Sequence, residues 1–136
     1  MKYLFILISF LSSIQFSLAA EKAYALQSGD ASLSVAKDGK RLSLQTDNAH
    51  YLSLNAPYVV TLEVNAETLN GYYSSVKEEK ESLVCIAKLK SSHGTVFHVK
   101  DVFTPDTENH FRMDREVTIE KIGKGDDYFN SYFGLT

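Results

Sequence analysis

Apolar and polar side chains alternate at every second residue through most of the sequence from Ala31 onward, and this restricts the fold more than any other feature. Successive side chains of a strand point to opposite faces, so a period of two means one face in a core and one in water. Ala31, Leu33 and Val35 alternate with serines, and Leu42 and Leu44 flank Ser43. Between these runs, Lys37, Asp38, Gly39 and Lys40 carry the chemistry of a hairpin turn, because glycine accepts a positive φ. Leu52 and Leu54 share a face. After Pro57, Tyr58, Val60, Leu62 and Val64 share a face, and Val59, Thr61 and Glu63 point the other way. Residues 83–90, 95–103, 111–122 and 128–135 give four further strands.

Turn-forming clusters separate these runs at residues 91–94, 104–109 and 123–127. Residues 74–82, SSVKEEKES, hold helix formers but almost no apolar face, and are read as an exposed loop or one short turn. Short strands at this spacing predict an all-β fold, an antiparallel β-sandwich occupying residues 21–136. The 136 residues are 44% apolar and 23% charged, which excludes a disordered chain, a collagen repeat and a polytopic membrane protein. A net charge of −3 argues against a nucleic-acid partner.

Residues 1–20 have the pattern of an export signal. Lys2 supplies the positive start, an uncharged stretch follows, and Ser17, Ala19 and Ala20 offer a cleavage site before Glu21 and Lys22. Serines and Gln15 dilute the apolar run, so cleavage rather than stable membrane insertion is expected. The domain is then periplasmic or extracellular. The single cysteine, Cys85, lies in the apolar run Leu83 to Ala87 and is read as a small core residue.

One pairing follows from the pattern itself. Phe97, Val99, Asp101 and Phe103 share a face, as do Phe111, Met113, Arg115, Val117 and Ile119. If the two runs form a hairpin with Phe97 facing Ile119, Asp101 faces Arg115. Each apolar face carries one charge, of opposite sign, at matching positions. A structural Asp101–Arg115 ion pair is predicted in or at the rim of the core, with Arg115→Met less damaging than Arg115→Ala.

No catalytic constellation is apparent. His50, His93, His98 and His110 show no metal-ligand spacing, so no metal and no cofactor are expected. There is no G-x-S-x-G and no phosphate-cradling glycine loop. Asp106, Glu108, Asp114, Glu116, Asp126 and Asp127 could supply carboxylates for glycoside chemistry, which needs two of them roughly 5–10 Å apart across a cleft. The tyrosines are the candidate binding groups. Tyr128 and Tyr132 are expected to face outward together, with Phe129, Phe133 and Leu135 toward the core. Tyr72 and Tyr73 are expected in an exposed loop. Exposed tyrosines stack on a sugar ring or pack on a neighbouring domain.

The stretch VFHVKDVFTP (residues 96–105), with FRMDREVTI (111–119) and YFNSYF (128–133), resembles the N-terminal β-sandwich of secreted bacterial glycosidases built on an (α/α)6 toroid of six helical hairpins. The resemblance implies an accessory role: the sandwich packs on a catalytic toroid absent from this chain and shapes one rim of a glycan cleft. It carries over no catalytic residue. An end at Thr136 inside an aromatic strand fits a fragment of such an enzyme. The alternative is a standalone secreted module that binds a small ligand, a glycan or a protein.

Overall fold

A computed structural model describes residues 23–46 and 58–132. The expectations for residues 1–20, Leu52, Leu54, Phe133 and Leu135 lie outside the described residues. Among the described residues, ten strands follow in order: β1 (Ala23–Ser28), β2 (Ala31–Ala36), β3 (Leu42–Gln45), β4 (Val60–Val64), β5 (Glu67–Gly71), β6 (Ser75–Glu79), β7 (Ser82–Lys90), β8 (Val96–Pro105), β9 (Phe111–Lys121) and β10 (Phe129–Tyr132). No helix occurs among the described residues. The fold is all-β and sandwich-like, with every ladder antiparallel.

The strands form three sheets, ordered β1-β2-β3, β10-β4-β5 and β6-β7-β8-β9. The third is a meander with one face that is apolar but for Asp101 and its partner Arg115. Leu83, Cys85, Ala87 and Leu89 of β7 and Phe97, Val99 and Phe103 of β8 are buried, while the intervening residues are half-buried or exposed. Val60, Leu62, Val64 and Leu69 of the second sheet and Leu26, Leu33, Val35 and Leu42 of the first join them in one core cluster. Gly71 lets two sheets approach closely: a Cβ there would lie 2.3 Å from Cδ2 of Leu89.

The β8–β9 register pairs Phe97 with Ile119, Val99 with Val117, Asp101 with Arg115 and Phe103 with Met113. The turn before β3 holds Gly39 at φ +71°, with its N–H bonded to Ala36 O. Two expectations need correction. Residues 74–82 are not one exposed loop or helical turn but a strand and the Lys80–Glu81 turn that follows it. Ser75–Glu79 is an edge strand paired with β7, and Val76 is buried against the core while its neighbours are solvated. One buried apolar residue suffices to seat a strand whose backbone hydrogen bonds come from β7. The second correction is Tyr73, which is 2% exposed and belongs to the core.

Candidate functional site

The outer face of the β10-β4-β5 sheet gathers polar and aromatic side chains. In β4, Val60, Leu62 and Val64 point inward, leaving Thr61 and Glu63 outward. Cross-strand partners share a face, so Asn130 joins Glu63, and Tyr132 joins Thr61. On the other side, Thr68 pairs with Glu63, and Asn70 pairs with Thr61. Thr61 Oγ1 donates to Asn70 Oδ1 at 3.0 Å, and the Tyr132 hydroxyl donates to Glu63 Oε2 at 2.7 Å. The bond to Glu63 raises the Tyr132 phenol above its ordinary pKa of 10.0, with burial and the carboxylate charge adding to it.

Tyr72, two residues beyond Asn70, is exposed and packs against exposed Tyr58, the ring centroids 5.5 Å apart and tilted by 38°. The partner of Tyr72 is therefore Tyr58 and not Tyr73. Adjacent residues of an extended chain point in opposite directions, so one tyrosine goes out and the next goes in. Tyr128 is exposed at 59%, as is Tyr132 at 47%, and its phenol adds to the rise in the Tyr132 pKa; its hydroxyl donates to Asn65 O at 3.3 Å, and it also lines a cleft. Tyr58, Glu63, Asn70 and Asn130 were not among the binding residues expected from sequence. The available signal was the alternation of β4 and β5, whose polar residues must face outward once the apolar ones face in.

Beneath this face lies a buried polar network. Arg115 Nε and Nη2 each donate to Asp101 at 2.6 Å, a bidentate pair with side chains 8% and 0% exposed. Tyr73 Oη donates to Asp101 Oδ2 at 2.5 Å. Arg115 Nη1 also donates to Ser131 Oγ at 3.1 Å and to Tyr132 O at 2.8 Å. One guanidinium thus joins β9, β8 and the strand that carries Tyr132. Burial disfavours the charged guanidinium, but the hydrogen bonds and charge of Asp101 outweigh it and hold Arg115 above its ordinary pKa. Burial, then the Asp101 charge, pushes the Tyr73 phenol well up. The same two causes push the Cys85 thiol from 9.0 to about 12. Cys85 is fully buried, so it is a core residue without thiolate character.

A second cluster surrounds Asp126, whose side chain is 3% exposed. It accepts hydrogen bonds from Ser91 Oγ at 2.6 Å and from Thr95 Oγ1, and its Oδ1 lies 2.9 Å from His93 Nδ1. These three partners, in that order of Ser91, Thr95 and His93, lower its pKa from 3.8 to about 2. Ser91, His93 and Asp126 are the residue types of a hydrolytic triad, connected differently. Ser91 donates to the carboxylate instead of to the histidine, accepts from Thr95 N at 2.9 Å, and is buried. A nucleophile needs its hydroxyl on the base and open to substrate. This cluster closes a loop.

On the outer surface of the meander, Glu120 receives Lys88 Nζ at 2.7 Å and His98 Nε2, and these bonds lower its pKa from 4.5 to about 2. Asp114 pairs with Arg112 at 2.9 Å. Among the described residues, no group of three or more His, Cys, Asp or Glu side chains has the geometry of a metal site. No described helix is long and apolar enough to cross a membrane. No protein-family model, no curated protein and no solved structure matches the chain.

Proposed function

We propose that this chain is a non-catalytic, exported β-sandwich that presents the outer face of β10-β4-β5 to a glycan, as an accessory domain of a carbohydrate-active protein. The observation that carries the reading is the row Tyr132, Thr61 and Asn70 across three strands, bordered by the Tyr58–Tyr72 pair. Sugar rings have apolar faces that stack on aromatic rings and equatorial hydroxyls that bond to amides, hydroxyls and carboxylates. A flat strand face supplies both kinds of group at fixed spacing. Adjacent strands lie about 4.8 Å apart, so a row across three strands suits an oligosaccharide better than a single sugar. The resemblance to the sandwich of toroid glycosidases supports a place beside a catalytic domain. A standalone secreted binding module is the second reading, and the same face would serve it.

The test is binding of the purified chain to a panel of soluble and insoluble polysaccharides by affinity electrophoresis and pull-down. Tyr132→Ala and Tyr72→Ala should each weaken binding about tenfold, equivalent to about 1.4 kcal/mol. Retention of parental affinity by both variants, or no binding to any member of the panel, would reject the reading.

A further inference from the structure

A second, independent site lies beside the loop between β9 and β10. A cleft of about 110 Å³ opens there, lined by Val64, Phe97, Ile119, Ile122, Tyr128 and Phe129 on its apolar side. Val64 and Phe97 are 2% and 1% exposed and form the floor. Ile122 and Tyr128, 70% and 59% exposed, stand at the mouth. Single exposed apolar residues are ordinary, but here they border a concave apolar surface.

Thr95 and two carboxylates, Asp126 and Asp127, complete the lining. Asp126 is committed to Ser91, Thr95 and His93. Asp127 is exposed, and among the described residues its carboxylate has no hydrogen bond or ion pair. Its backbone N–H, bonded to Asn65 Oδ1 at 3.4 Å, fixes the loop that carries it. Among the described residues, no lysine or arginine lines the cleft. The cleft therefore offers an apolar interior, an unpaired negative charge at the lip, and an aromatic ring beside it.

We propose that this cleft binds a short alkylammonium ion, with its hydrocarbon chain inserted between Ile119, Ile122 and Phe129 and its ammonium group at the lip against Asp127 and Tyr128. The ammonium gains a charge-assisted bond to the carboxylate and a cation–π contact while remaining hydrated on its outer side. A lysine side chain would enter ammonium first and place its charge on Val64 and Phe97, which is costly. The occupant is thus a free amine. The volume is smaller than the ~150 Å³ apolar cavity that takes up benzene, which limits the chain to about four or five carbons.

The test is a titration of the full chain with ethyl-, propyl-, butyl- and hexylammonium, followed by the methyl resonances of Ile119 and Ile122. Affinity should rise about fourfold per methylene up to butyl and level off by hexyl. Butanol should bind more weakly than butylammonium, and butyrate more weakly still. Asp127→Asn should cost butylammonium at least threefold in affinity and leave butanol unchanged. The exposed position of Asp127 makes this variant safe for folding. Equal affinity for amine and alcohol, insensitivity to Asp127→Asn, or a lysine amide binding as well as butylammonium would overturn the proposal. So would the absence of any shift at millimolar amine. Glycan binding involves a different face, so failure here leaves that reading standing.

Discussion

Gly39 shows how a single residue can serve two distant parts of the chain. Its φ of +71° lies where L side chains are strained. A Cβ there would also fall 2.0 Å from the carbonyl oxygen of Tyr73, whose N–H donates to Gly39 O at 3.2 Å. The hairpin turn was legible in Lys37, Asp38, Gly39 and Lys40. The contact with Tyr73 was not, because local sequence says nothing about which strand crosses a turn. Gly39→Ala should cost about 2–4 kcal/mol, read from the urea midpoint. Gly125, at φ +88° with open space around its Cβ position, is the control. Gly125→Ala should cost only the backbone strain, about 1–2 kcal/mol. Equal losses would mean that the Gly39–Tyr73 approach adds nothing to the strain of the turn.

The long strands were the readable elements, and the reason is physical. β8 and β9 each carry several apolar residues on one face, so a one-residue slip would expose all of them. The lone charge on each face then fixes which residues meet. β5 and β6 each bury a single large apolar side chain, Leu69 and Val76, and a period cannot be read from one point. β1 buries Leu26 and Ser28 and half-buries Tyr24, while Ala23 and Ala25 are exposed, so its inward face is not marked by apolar residues alone. Of the four tyrosines singled out from the sequence, Tyr72, Tyr128 and Tyr132 are exposed as expected, whereas Tyr73 closes the Asp101 network.

That network also alters what Arg115 substitutions should do. The Asp101 carboxylate is fully buried, and among the described residues its side-chain hydrogen bonds come from Tyr73 and Arg115. Arg115→Met fills space but strands that carboxylate, so it should cost about 3–5 kcal/mol despite its good fit. Tyr73→Phe removes one bond to a charged acceptor and should cost about 1.5–3 kcal/mol. The triple variant Tyr73→Phe, Asp101→Leu, Arg115→Met removes every member at once and should recover most of the loss. Chemical denaturation of the three proteins decides the matter. Additive losses in the triple variant would show that the network contributes net stability instead of fixing the position of β10.

At the scale of the whole molecule, the three sheets share a core but no strand ladder, and polar loop contacts fasten them at the ends. Ser28 Oγ donates to Thr107 O at 2.7 Å, and Asp30 N donates to Asn109 Oδ1 at 2.7 Å, fastening the first sheet to the β8–β9 turn. Asn65, at φ +52°, donates from Nδ2 to Gly125 O at 2.5 Å and accepts from Asp127 N, fastening the second sheet to the loop before β10. Asp126 joins that loop to the β7–β8 turn, and Gly123 N donates to Thr95 Oγ1 at 2.7 Å within the same knot. Asp126 is the one fastener here with a titratable carboxylate held low, from 3.8 to about 2, by its hydroxyl and imidazole partners. A carboxylate with a depressed folded pKa binds its proton less readily when folded than when unfolded. Its contribution is therefore complete above the unfolded value near 3.8 and disappears as pH falls through about 2. Thermal unfolding of the parent and of Asp126→Asn across this range should show the parent more stable at neutral pH, with the gap closing on the acid side. Glu120 is depressed as well but half exposed, with its partners on the open face of the meander. Glu120→Gln should produce a smaller gap that salt diminishes, since exposed ion pairs are screened. A parent–Asp126→Asn gap that stays constant down to pH 2 would assign the loss to packing of the amide, and would remove the carboxylate as the charge that closes this end of the sandwich.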